Sequence, residues 1–395
     1  MSSPQSELHG EEPVMYRPRS IEELQAALRE LPWVCVRGGG SKPALSAVAN
    51  VELSGLAGLV DYEPQEFTFT AYAGTPLASL QDILSRHGQF LPFDPVRVEA
   101  GATLGGAIAS GLSGPGRFRY GGIRDFVLGV LLVTGGGERV YGGGRVVKNA
   151  AGFDLPKLMV GSLGRLAVIV EVTCKVFPAP AKMVTLQVDY PTLDQALNDY
   201  LRLARLPLDL TCLDFEPPAR LWIRFGGLAE AVPARLKRCL DAVTGSAHVW
   251  HDDHALWRSV TEFQFVPPDC GLARVAITPP QIPRWEEWCR GSGFDHRRYS
   301  VGGHVLWLAV PQPHGWAALH TFLMQQGVSA VAALGSPFQP VLGKLPGGVF
   351  AERLRSVFDP QGKFPPLQKM QLQEDRSNGV GVPHVLHPAS DAISD

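Results

Sequence analysis

The chain has 395 residues, 45% of them hydrophobic, and a formal net charge of −2. That length supports a large core divided over two or three domains, and the near-neutral charge supplies no basic footprint for nucleic acid. Six cysteines (Cys35, Cys174, Cys212, Cys239, Cys270, Cys289) stand far apart with no CxxC pair, which excludes iron–sulfur and structural zinc sites on spacing and fits reduced thiols in a cytoplasmic protein.

Residues 1–14 are polar and acidic, so they read as a flexible N-terminus rather than a secretory signal or transit peptide. Ser20-Ile21-Glu22-Glu23 has the form of a capping box, and Leu24, Ala27, Leu28 and Leu31 follow at helical spacing. Trp33–Arg37 reads as a short buried strand that runs directly into Gly38-Gly39-Gly40. A glycine run after an apolar strand can gather several N–H groups into one concavity that binds an anion such as a phosphate. It is neither a P-loop, since GGGSK lacks the GxxxxGK[ST] spacing, nor a GxGxxG turn opening a helix.

Val51–Leu53 and Phe67–Tyr72 read as strands, and a helix is expected from Pro76, capped by Thr75, to Gly88. A second glycine-rich interval then opens with TLGGAIASGLSGPGRFRYGG (Thr103–Gly122) and closes on GSLGRLAVIVE (Gly161–Glu171). Within it Thr103–Ser110 reads as a helix, Val127–Thr134 as a buried strand, Glu138–Tyr141 as its hairpin partner and Leu166–Val176 as another strand. Phe126–Val133, interrupted by Gly129, is far short of the ~20 apolar residues a spanning helix needs. Such glycine density is unfavourable in an ordinary core and implies that something approaches the backbone closely. The chain therefore reads as a nucleotide-cofactor binder.

Pro178 and Pro180 mark the expected domain boundary, giving units at 15–179 and 180–345. Beyond it the pattern alternates strands and helices, as for an antiparallel sheet with helices on one face. A return segment is expected at 346–373 and a disordered tail at 374–395. His251-Asp252-Asp253-His254 reads as a solvated turn rather than a metal site, and no metal site is expected. Candidate catalytic groups are His304, as a base, and Arg297, which beside Arg298 could hold a carboxylate. Lys148 and Asn149 read as flavin or partner contacts or a structural turn, and Trp285 and Trp288 as packing.

Thr103-Leu104-Gly105-Gly106-Ala107-Ile108-Ala109, Arg119-Tyr120-Gly121, Gly152-Phe153-Asp154-Leu155 and Gly161-Ser162-Leu163-Gly164 with Val168-Ile169 resemble, in order and separation, the FAD-binding half of vanillyl-alcohol oxidase (PCMH) type flavoproteins. FDPVRVEAGATLGGAIASGLSGPGRFRYGGIRDFVLG and GGRVVKNAAGFDLPKLMVGSLG are similar to the smaller FAD-binding subunits of glycolate dehydrogenases. The resemblance implies an α+β fold: a PCMH-type FAD-binding domain of two α+β subdomains, with FAD between them, plus a cap domain with an antiparallel sheet and helices. It implies FAD contacts from Arg37, Gly38, Gly39, Gly40, Ser41, Thr103, Gly105, Gly106, Ser110, Gly111, Gly161, Gly164, Val168 and Ile169, with Arg119, Tyr120 and Gly121 near the flavin ring. Ser41 follows GGG where covalently flavinylated members use histidine, so non-covalent FAD is expected. The HxGDGNxH-type motif of catalytic subunits is missing, and FDPQGKFPP departs from their closing FDPxGxxNP. The implied function is an FAD-binding subunit of a glycolate (D-2-hydroxy acid) dehydrogenase complex, oxidising glycolate to glyoxylate beside a catalytic FAD subunit and an iron–sulfur subunit. The alternatives are a free-standing D-2-hydroxy-acid dehydrogenase and a non-catalytic flavin-containing scaffold. The expected location is cytoplasmic, with peripheral attachment at the inner membrane face through partners as a variant.

Overall fold

The computed structural model describes residues 15–46, 48–144, 153–337, 339–345 and 347–365. Expectations for 1–14, Lys148, Asn149 and 374–395 lie outside the described residues.

The first helix, Ile21–Glu30, makes one half of the expected capping box: the Ser20 side chain accepts from the Glu23 amide, whereas the Glu23 carboxylate reaches past Ser20 and accepts from the Arg19 amide at 2.7 Å. Leu24 and Leu28 bury its inner face. The next strand is shorter than Trp33–Arg37. Only Val36–Arg37 pairs, in parallel, with Val51–Glu52.

A separate five-stranded sheet runs in the order Leu59–Glu63, Thr68–Tyr72, Val168–Lys175, Val127–Val133 and Arg139–Gly143, all neighbours antiparallel. Thr75 does not cap the helix that follows, because its hydroxyl binds the carbonyls of Gly58 and Tyr72; the helix begins at Leu77, after Pro76. Residues from the parallel pair, the five-stranded sheet and the helices Ile21–Glu30, Leu77–Ser85 and Leu104–Ser110 share one apolar core. After Lys175 the chain makes one short pairing, Phe177–Pro178 with Gln89–Phe90, and leaves this region.

Lys182–Asp189 opens a nine-stranded antiparallel sheet. Its order is Ser246–Trp250, Lys182–Asp189, Arg220–Gly227, Cys212–Glu216, Arg297–Ser300, Val305–Pro311, Cys270–Ala276, Ser329–Leu334, Val341–Gly343. Alternation sends Leu213 and Phe215, Leu221, Ile223 and Phe225, and Leu306 and Leu308 to one face, where Leu193–Leu203, Ala231–Leu240, Ile282–Ser292 and Gly315–Gln326 cover them. The opposite face carries Cys212, Asp214, Trp222, Arg224, Arg298, Ser300 and Trp307 and is also buried, part of it against Val96 and Leu112 of the first region. The fold is the expected α+β arrangement. The chain then returns: Val34 donates to the Lys363 carbonyl at 2.8 Å, and Phe364 enters the first core.

Several elements had no sequence signature. Ser246–Trp250 is a mostly exposed edge strand and shows no apolar alternation. Arg297–Ser300 hides behind two arginines, one for each face of the sheet. The helix His254–Thr261 begins inside the expected solvated turn, and Asp253 is buried rather than solvated. Arg224 holds it from both guanidinium nitrogens, at 2.9 and 2.7 Å, and Thr185 adds a third bond at 2.7 Å.

Candidate functional site

A cleft lies between the parallel pair and the five-stranded sheet. One wall is Arg37, Gly38, Gly39, Gly40, Ser41 and Lys42; the other is the helix Leu104–Ser110 with the start of strand Val168–Lys175. Among the described residues, the backbone N–H groups of Gly38, Gly39, Gly40, Ser41 and Lys42 donate to no acceptor. Five consecutive open donors at a cleft wall suit an oxyanion that can take several of them together.

The glycines of the turn serve packing first. A Cβ on Gly38 would overlap the Thr103 hydroxyl, and one on Gly39 would overlap the Gly101 carbonyl oxygen. Gly105 stands against Ala73, whose Cβ would be 2.6 Å from an added Cβ. Glycine thus brings two chain segments together and so forms the cleft between them. Gly40 differs: nothing crowds it, and its φ of +68° is the reason for glycine. Thr103 caps its helix by accepting from the Gly106 amide, which places both residues on the cleft. Ala73, Ala109, Ala167, Val168, Ile169, Leu163 and Leu53 give the remaining surface an apolar character suited to a flat ring system.

Twelve of the residues expected to hold FAD line this cleft: Arg37, Gly38, Gly39, Gly40, Ser41, Thr103, Gly105, Gly106, Ser110, Gly164, Val168 and Ile169. The Arg37 side chain itself bonds Glu52 across the parallel pair at 2.8 Å, so only the rest of the residue faces the cleft. Five others do not line it. Gly111 ends the helix with a φ of +65° and packs on Gly161, which donates to the Ile108 carbonyl at 3.0 Å. Arg119 pairs with Asp209, Tyr120 packs edge-on against Phe90 and Phe177, and Gly121 abuts Asp125. Arg119 therefore reaches the second region, Tyr120 and Gly121 pack within the first, and none of the three lines the cleft.

The two catalytic candidates also fall elsewhere. His304 precedes its strand and is exposed. Arg297 points to the helix-covered face, where it binds Glu286 through Nε at 2.7 Å and through Nη2. Arg298 takes the other face: its Nε donates to Asp214 at 2.7 Å, it lies over Trp222 and Trp257, and its buried Nη2 has no partner. Nearby on that face Arg274 sits opposite Trp307. Burial, and then the charge of Arg117, push the Arg274 pKa down to about 10. Among the described residues neither the Arg274 nor the Arg117 guanidinium has a hydrogen-bond or ion-pair partner. Trp285 and Trp288 are packing residues, with Trp288 stacked on Phe322.

Residues 13–142 match the family model described as FAD binding domain. The matched span contains the open amides and most of the cleft. This part of the chain is similar to an FAD-binding domain. The chain is similar to Glycolate oxidase subunit GlcE of Escherichia coli (strain K12), 36% identical over 222 residues, covering 55% of this chain and 63% of that one. It is also similar to a D-lactate dehydrogenase of Archaeoglobus fulgidus, 34% identical, covering 51% of this chain and 47% of the relative. Glycolate oxidase subunit GlcD of Bacillus subtilis (strain 168) is 30% identical, with 40% and 34% covered. The chain thus matches less than two thirds of the length of each of these relatives. A solved alkyldihydroxyacetonephosphate synthase shares the fold, with a TM-score of 0.67 at 16% identity, over 89% of this chain and 75% of that one.

The residues present fit the cofactor: open amides for its phosphates and apolar strand surface for its rings. Lys42, Leu45, Ser46, Leu53, Ala73, Ala109, Leu163 and Ala167 are cleft residues that sequence reasoning missed. The alanines carry no signal of their own. Lys42 stood directly beside the recognised turn.

Proposed function

We propose that this chain is the FAD-binding subunit of a glycolate (D-2-hydroxy acid) dehydrogenase complex. The Gly38–Lys42 turn and the Thr103 cap would hold FAD without a covalent link, and the flavin would supply the hydride-accepting chemistry for a hydroxy acid. The observation that carries the reading is the open-amide cleft, most of it within the residues that match an FAD binding domain, in a chain that is similar to a glycolate oxidase subunit and a D-lactate dehydrogenase. Three arginines supply donors a small carboxylate needs that no protein acceptor uses among the described residues: Nη2 of the buried Arg298 and the half-buried Arg274 guanidinium on the second sheet, and the Arg117 guanidinium from the helix Arg117–Tyr120 of the first region. Onward electron transfer is assigned to an iron–sulfur subunit, and a second FAD subunit supplies the catalytic base. Among the described residues no helix is long and apolar enough to cross a membrane. We assign the complex to the cytoplasm, where contact with the inner membrane face comes through partners.

Anaerobic mixing of the purified chain with glycolate or D-lactate tests the assignment. The flavin absorbance should persist with the chain alone and bleach once the partner subunits are added. Bleaching by the chain alone would make it a free-standing dehydrogenase. Turnover of the assembled complex that survives removal of flavin from this chain would make it a scaffold.

A further inference from the structure

We propose that Lys42 is the charged anchor for the diphosphate of the bound dinucleotide and that FAD binding is coupled to the charge of this one amine. The proposal rests on the FAD-binding assignment and adds a residue and a proton linkage to it. Lys42 is only 6% exposed, lines the cleft and directly follows the open-amide turn. Its Nζ donates to the Ser41 hydroxyl at 3.2 Å and to no other described group. Lysine is rarely buried unless paired, and this one has no carboxylate within ion-pair distance among the described residues. Two of its three donors remain open at the wall where the five open amides already mark an anion site.

The surroundings explain why a diphosphate is the missing partner. Arg97 reaches in from the first region, its Nε toward the Ser41 carbonyl at 3.4 Å and its Nη1 on the Glu262 carbonyl at 2.7 Å. Glu262 follows the helix His254–Thr261, and its carboxylate is engaged by the Glu99 amide at 2.9 Å. Burial first, then the Arg97 charge, push the Lys42 pKa down to about 8, while Glu262 acts weakly in the opposite direction. An arriving diphosphate reverses this balance, because a doubly anionic neighbour favours the protonated amine. Binding above neutrality therefore takes up a proton: the free amine becomes ammonium, with the proton drawn from solvent and no bond broken in the cofactor.

The test measures FAD affinity of the apoprotein as a function of pH, with riboflavin, which has no phosphate, as the matched control. The FAD Kd should rise about tenfold between pH 7 and pH 9, and the riboflavin Kd should stay flat. Lys42→Met should weaken FAD by about 10- to 100-fold at pH 7, abolish the pH dependence and leave riboflavin unchanged. Lys42→Arg should restore affinity without the pH dependence, since arginine does not titrate in this range. Wild-type calorimetry at pH 8.5 in two buffers of different ionisation enthalpy should give an uptake of about 0.7 proton per FAD, a readout that needs no variant. A Lys42→Met protein with wild-type FAD affinity, or calorimetry with no proton uptake, overturns the proposal. Failure of the wild type to bind FAD at any pH would instead remove the FAD-binding assignment itself.

Discussion

The cleft of the first region and the covered face of the nine-stranded sheet are built on opposite principles. The cleft wall is backbone: open amides on a turn whose glycines are dictated by Thr103 and Gly101. The sheet face is side chain: Arg224 on Asp253, Arg298 on Asp214, and tryptophans beneath the guanidinium groups. A backbone site demands particular small residues in one short run, and it fails when a single methyl group is added. A side-chain site draws its members from distant strands, and it fails when one partner is removed and leaves a charge buried.

The predictions set these two modes of failure against each other. The largest effect is expected on the sheet. Arg224→Met leaves Asp253, 1% exposed, with Thr185 as its remaining side-chain partner, and should cost about 3–5 kcal/mol in urea denaturation followed by tryptophan fluorescence. A cost below about 1 kcal/mol would mean that this ion pair is not structural. Gly39→Ala should weaken FAD by about 100-fold or more, since the turn must move away from Gly101, while changing global stability less than Arg224→Met does. Equal loss of stability in the two variants would erase the distinction between the regions. Ser20→Ala removes the cap of the first helix and should cost about 1 kcal/mol without changing FAD affinity, measured by thermal melts and flavin titration.

The smallest effect concerns Asp94, whose backbone carbonyl and carboxylate accept from the Gly114 and Gly116 amides in the first region. Burial raises its pKa above the usual aspartate range, against the Gly116 hydrogen bond and the more distant Arg224, which lower it. A raised carboxyl favours the folded state fully below its unfolded pKa, and that contribution is lost as pH rises through the folded value. Asp94→Asn should therefore narrow the stability difference between pH 4 and pH 8, read from Tm across that range. An unchanged profile would show that Asp94 ionises freely in the folded protein.

Legibility followed the same division. Gly38–Gly40 and Thr103–Ser110 could be read as a phosphate-binding wall because their residue types are constrained locally, and the structure brings both onto one cleft. Gly111 and Gly161 carry the same glycine signature but use it to pack a helix end against a loop. Arg297 and Arg298 show the limit from the other side. They are adjacent and chemically identical, yet strand alternation sends one to Glu286 under the helices and the other to Asp214 on the covered face. Nothing at positions 297 and 298 tells which face is which until their neighbours in the sheet are known.

The sequence by itself determined the α+β class, the Ser20 cap and the backbone cradle, since each depends on residues a few positions apart. Tertiary structure alone decided which charges are buried and paired, from Thr185 to Ser300, and that Lys42 stands at the cleft without a carboxylate partner. Pairing energies are set by through-space distance and by exclusion of water, and both come into being only when strands far apart in the chain are laid side by side.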